Sequence, residues 1–214
     1  MDDHSMWFDR MLKTGEGYFL RLLEGAAHEV GYSDGFESPI EYVFATSAVA
    51  TARLLRVRCS IESRRGLSLE DAKRAASTRL VEDTVYIAPQ VTIGPYRVDF
   101  IVFFSGYPRG TLSGMVVECD GHEFHEKTKE QAKRDKARDR ALQSLDLKVF
   151  RFTGSEIWHN PLEAAGSVIE HAHIGSHIAG VVNVLFAEGE VDAAHRVLRD
   201  WTGVGPAKNA GEAA

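Results

Sequence analysis

Two short, strongly apolar runs carry acids where a strand would normally carry none. Residues 96–102 read Tyr-Arg-Val-Asp-Phe-Ile-Val and place Asp99 among aliphatic and aromatic neighbours. Residues 115–125 read Met-Val-Val-Glu-Cys-Asp-Gly-His-Glu-Phe-His, an apolar run into Glu118 and Asp120, then Gly121, His122 and His125. A carboxylate in such surroundings is costly to bury unless something pairs with it. Glu118 and Asp120 lie two apart and so share a strand face, and Arg97 and Asp99 share one in the same way. With the two runs on adjoining strands, Asp99, Glu118 and Asp120 converge. Their mutual repulsion is relieved by a hard divalent cation with oxygen ligands, Mg²⁺ or Mn²⁺. A salt bridge from Asp99 to Arg97 is the plainer alternative.

The rest of the chain sets the frame for these runs. Its 214 residues suffice for one domain with a sizeable core. The formal net charge of -6 argues against a generally basic nucleic-acid coat but leaves room for a local basic face. Cys119, inside an apolar run and far from Cys59, reads as a buried thiol rather than half of a disulfide. The opening Met-Asp-Asp-His-Ser has neither the basic start nor the apolar stretch of a secretion signal, and no apolar run approaches the ~20 residues of a membrane span. The expected compartment is the cytoplasm.

Periodicity divides the chain into a helical opening, an alternating middle and a helical close. Apolar residues from Trp7 to Leu23 mark an N-terminal helical segment over 1–37. Ser38-Pro39-Ile40-Glu41 opens a helix to about Val57, with Ser38 as N-cap and Glu41 completing a capping box. Ser68 caps another helix over 68–80. Strands are expected over 84–93, 96–104, 115–120 and 148–152, the first two as a hairpin about Gly94-Pro95. In the first of these, Val85, Ile87, Val91 and Ile93 are the alternating apolar set. Thr128 and Gln131 open a helix running to about 146. Asn160-Pro161 starts a helix through Ala172, and residues 176–187 and 190–201 form a closing hairpin about Gly189. The expected division is a core over 38–160, C-terminal helices over 161–202 and a disordered Gly/Ala-rich tail over 203–214.

His125 is the better placed of the two histidines for moving a proton near a water activated by a cation. A zinc pair from His122 and His125 is an alternative, although no further cysteine or histidine completes a familiar zinc pattern. Lys127, Lys129 and Lys133 crowd the start of the helix after the acids and could receive phosphate groups, or could form an ordinary solvated face. His171, His173 and His177 are expected on the surface.

Taken in order, Ser-Pro-Ile-Glu at 38–41, Pro89-Gln90-Val91, Tyr96 to Phe100, Val-Glu-Cys-Asp-Gly at 117–121, Arg134-Asp135, Arg138-Asp139 and Val149 to Phe152 form a pattern. Over residues 38–158 it resembles the restriction-endonuclease-like domains grouped near the very-short-patch mismatch repair endonucleases, in the PD-(D/E)xK nuclease superfamily. The resemblance implies a mixed central sheet flanked by helices, here with extra N- and C-terminal helices, and cleavage of DNA with a divalent cation. It implies that Asp99 is the superfamily's metal-binding acid and Glu118 the acid of the following strand. The lysine expected two residues later is absent, with Asp120 in its place. Gly121 and His125 resemble the repair enzymes' glycine and catalytic histidine, and Glu41 resembles a helix acid that supports the metal or its water. The resulting expectation is a metal-dependent endodeoxyribonuclease, with a non-cutting nucleic-acid or protein binding module as the alternative. Partnership with a second copy of the chain or with another protein stays open.

Overall fold

A computed structural model describes residues 18–31, 36–80, 84–106, 110–120 and 129–202, with backbone alone for 129–135 and 201–202. Seven helices and five strands are present among the described residues. They run α1 (18–30), α2 (Pro39–Leu54), β1 (Cys59–Ile61), α3 (Leu69–Arg79), β2 (Val85–Ile93), β3 (Tyr96–Ser105), β4 (Leu112–Asp120), α4 (Lys129–Gln143), β5 (Lys148–Thr153), α5 (Gly154–His159), α6 (Pro161–Ala187) and α7 (Val191–Thr202). The sheet order is β1-β2-β3-β4-β5. Its two inner pairings are antiparallel, while β1 runs parallel to β2 and β4 parallel to β5. Each outer strand therefore needs a crossover, which α3 and α4 supply.

Both faces of the sheet are covered, which is why the strands are apolar almost throughout. One face packs Ile87, Phe100, Val102, Met115 and Val117 against Phe44 and Ala48 of α2 and Ala165, Val168 and Ile169 of α6. The other packs Ala88, Ile101, Phe103 and Val116 against Leu69, Ala72 and Ala76 of α3 and Leu142 of α4. The architecture is a three-layer α/β fold with a mixed sheet, as in restriction-endonuclease-like domains, with further helices at both ends.

Cap chemistry sets several boundaries. Ser38 Oγ accepts the Glu41 amide at 3.3 Å and Pro39 follows it, as expected. The other half of the capping box differs from expectation. The Glu41 carboxylate takes the Ser38 hydroxyl and the Glu37 amide, and also an amide from the sheet described below. The helix stops at Leu54, because Arg56 turns to φ 56°. The six-residue α5 has a complete capping box between Thr153 and Glu156. Helix α6 runs unbroken for 27 residues, about 40 Å, where a break near 172–176 was expected. His171 is half-buried, with its ring against Phe104 and Phe150, so it is not the surface residue expected. Thr128, the expected cap of α4, lies outside the described residues, as do the tail and most of the N-terminal segment. Among the described residues no helix is long and apolar enough to cross a membrane.

Candidate active site

The expected alternation fails at one place, and the acids stand there. In β2, Val85 and Ile87 pack on the α2/α6 face, but Val91 and Ile93 pack on the α3/α4 face. A residue at φ 51°, Gln90, lies between them and turns the strand over. On β3, Phe100 packs on the α2/α6 face and Val98 on the α3/α4 face. Asp99 is the crossing point, so the simple face-sharing of Arg97 and Asp99 does not hold.

The sheet opens at the same level. Ladder pairing between β3 and β4 ends at Phe100 opposite Val117. Beyond it β3 stays with β2, through Val98 opposite Val91, while β4 stays with β5, through Glu118 opposite Arg151. Asp99 sits in the fork, and its Oδ2 accepts the backbone amide of Cys119 at 2.6 Å. An acid side chain thus satisfies a strand N–H that a neighbouring carbonyl would otherwise take.

Glu118 lies on the α4 side of the fork, 4% exposed. Its Oε1 accepts from Nη2 of Arg138, which also donates to the Arg97 carbonyl oxygen at 2.8 Å. Glu41 lies on the α2 side, also 4% exposed, and accepts from Nε2 of the buried Gln90 at 3.1 Å. Asp120 is exposed at the end of β4. Glu41, Asp99, Glu118 and Asp120 all lie near enough to the buried thiol of Cys119 to act on it electrostatically. Burial and the fields of all four acids push that thiol well above its ordinary range.

The acids are held at high electrostatic tension. Burial, with the charges of Glu41 and Asp120, raises Asp99 to about 6, against the lowering effect of the Cys119 amide and Arg138. Burial, with the charge of Asp99, raises Glu118 to about 7 although Arg138 touches it. Desolvation outweighs the single guanidinium at both. Further cations stand near but are engaged elsewhere. Arg151 is held by Asp139, and Arg97 by Glu37.

Asp99 and Glu118 offer the oxygen donors a hard divalent cation takes, and their raised proton affinities are what such an ion would reverse. Among the described residues, no three acid, histidine or cysteine side chains already stand together as a ready ion site. His122, His125 and Lys127 lie outside the described residues. Lys129 and Lys133 are on α4, whose backbone alone is described there. Sequence reasoning gives no role to Arg138, one basic residue in a helix that interleaves both signs, and none to Gln90. The spacing of Arg138 four residues before Leu142, which is fully buried, is the signal that could have found it, since it turns Arg138 toward the sheet.

Comparison with curated proteins and with solved structures finds no match. Residues 73–171 match the family model REase_MTES_1575, which describes a restriction-endonuclease-like family. The matched span runs from α3 into α6 and contains Asp99, Glu118, Asp120 and Arg138. Glu41 falls before it. The fold and the family match over residues 73–171 support a restriction-endonuclease-like domain.

Proposed function

We propose that the protein is a nuclease that hydrolyses phosphodiester bonds in DNA with the aid of Mg²⁺ or Mn²⁺. The observation that carries this reading is the fork, where β3 and β4 part and each strand carries a largely buried carboxylate with raised proton affinity. Asp99 and Glu118, with Asp120 at the strand end, would hold the ion. When bound, such an ion supplies charge stabilisation at the phosphate and acidifies a water.

The chain's own residues do the remaining work. The Cys119 amide fixes Asp99, and Gln90 fixes Glu41, so both carboxylates are oriented before any ligand arrives. His125, five residues beyond Asp120, is assigned the proton transfer. Lys127, Lys129 and Lys133 are assigned the DNA backbone, at the end of α4 where the helix dipole favours an anion. Glu41 is assigned a supporting role toward the ion or its water.

Incubating the protein with plasmid, linear and single-stranded DNA in Mg²⁺ or Mn²⁺ tests the reading. Cation-dependent nicking that disappears in Asp99→Asn is expected; nicking undiminished by that change refutes the assignment. A second reading is a domain that binds nucleic acid or protein without cutting. The ion pair of Arg138 with Glu118 and the absence of the usual lysine favour it. It requires duplex binding that survives Glu118→Ala and no uptake of Mn²⁺.

A further inference from the structure

Arg138 differs from the other arginines around the fork. Arg151 and Arg97 have carboxylates of their own, in Asp139 and Glu37, whereas Arg138 is paired to an acid of the site itself. Its Nη2 serves two acceptors, Glu118 Oε1 and the Arg97 carbonyl oxygen. Its Nε is buried and has no hydrogen-bond partner among the described residues. The side chain remains 26% exposed, so solvent reaches one part of it.

A guanidinium presents five N–H donors in a rigid plane, and a buried donor left without an acceptor is costly. The plane therefore has spare capacity at the fork, and a phosphate oxygen is the acceptor a guanidinium fork matches best. A divalent cation on Asp99 and Glu118 would also stand beside this positive group. Like charges at a few ångström repel strongly where water is partly excluded, so the cation would loosen the hold of Arg138 on Glu118.

We propose that Arg138 is an exchangeable counter-ion. It neutralises Glu118 while no divalent cation is bound, and passes to a phosphate oxygen of DNA when a cation takes the acids. This rests on the nuclease reading. Arg138 then opposes the cation when DNA is absent and binds the phosphate when the cation is present. Cation and duplex strengthen each other's binding, and the coupling is reciprocal. Arg138 also brings positive charge to the fork where the usual strand lysine is missing.

The test measures binding. Mn²⁺ uptake by the DNA-free protein is followed by paramagnetic resonance, and duplex affinity by fluorescence anisotropy with and without Ca²⁺. Arg138→Ala is expected to bind Mn²⁺ at least about fivefold more tightly than the wild type. It should lose most of the gain in duplex affinity that Ca²⁺ gives the wild type. Arg138→Gln, which keeps a donor near Glu118 without the charge, should behave alike and serves if the alanine variant melts early. Mn²⁺ affinity unchanged or weakened in both variants overturns the exchange while leaving the nuclease reading intact. A wild-type protein that takes up no Mn²⁺ overturns both.

Discussion

The carboxylate of Asp99 and the backbone amide of Cys119 are joined at 2.6 Å across the point where β3 and β4 separate. The bond closes a gap in the ladder with a side chain. It holds Asp99 in place and makes the acid part of the sheet's own hydrogen bonding. Substitution at this position therefore acts on folding and on the site by different routes, which two variants separate.

Asp99→Asn keeps an oxygen for the Cys119 amide and removes a charge that is poorly solvated. Asp99→Ala leaves that amide without its acceptor. The alanine variant should be about 1–3 kcal/mol less stable than the asparagine variant in urea denaturation without divalent cation. Both should lose cation-dependent nicking. Equal stability of the two would mean that water replaces the carboxylate at no cost.

The acids also set a pH dependence. Unfolded, the carboxyls of Asp99 and Glu118 release their protons near the ordinary 3.8 and 4.5; folded, they do so near about 6 and about 7. Between those limits the folded chain holds protons that the unfolded chain has given up, so their contribution to stability falls as pH rises. The cation-free protein should lose stability from about pH 4 to about pH 7, and the Asp99→Asn, Glu118→Gln double variant should show a flatter curve in the same melts. Mn²⁺ affinity should rise across that range, because the ion must displace the same protons. An Mn²⁺ affinity independent of pH would place the ion elsewhere.

Neutralising Lys127 and Lys129 to glutamine should weaken duplex binding and flatten its salt dependence, by about 0.9 log–log units for each phosphate that a lysine no longer neutralises. Stability is expected to change little, which urea denaturation of the double variant checks. An unaltered slope would move the DNA path, with Arg53, Arg56 and Arg58 the next residues to neutralise.

Helix α6 lies hard against the sheet at Gly175, where an added Cβ would stand 2.5 Å from Cε2 of Phe104. Gly175→Ala should cost about 1–3 kcal/mol through overpacking. Gly180, on the same helix with nothing within 4 Å of a Cβ, should accept alanine with a gain of up to about 1 kcal/mol. Thermal melts of the two variants should shift in opposite directions.

Much of the fold was legible because local chemistry and tertiary packing agree. The Gly94-Pro95 turn set β2 beside β3, the apolar run to Asp120 supplied β4, and Ser38 and Ser68 stood at helix starts where their hydroxyls accept amides. What stayed hidden depends on contacts between distant residues. The three-residue β1 carries too little pattern to register alone. A period-two reading gave Val91 the wrong face, because the turnover falls on Gln90 rather than on a glycine. Arg138 was concealed by the charges around it on α4, and only the packing of Leu142 against the sheet shows which way that side chain turns. That Asp99 and Glu118 lie on neighbouring strands was readable from strand order, but the fork between those strands was not.

The outer strands carry a consequence of another kind. β1 has three residues, and β5 has six, with Lys148 and Arg151 exposed. A sheet as apolar as this one is a template for runaway stacking wherever it ends in a long, uncharged strand. Here one margin is too short to guide an incoming strand, and the other carries the exposed Lys148 and the ion pair of Arg151 with Asp139. Short and charged margins of this kind disfavour the pairing of a further strand onto the hydrophobic sheet.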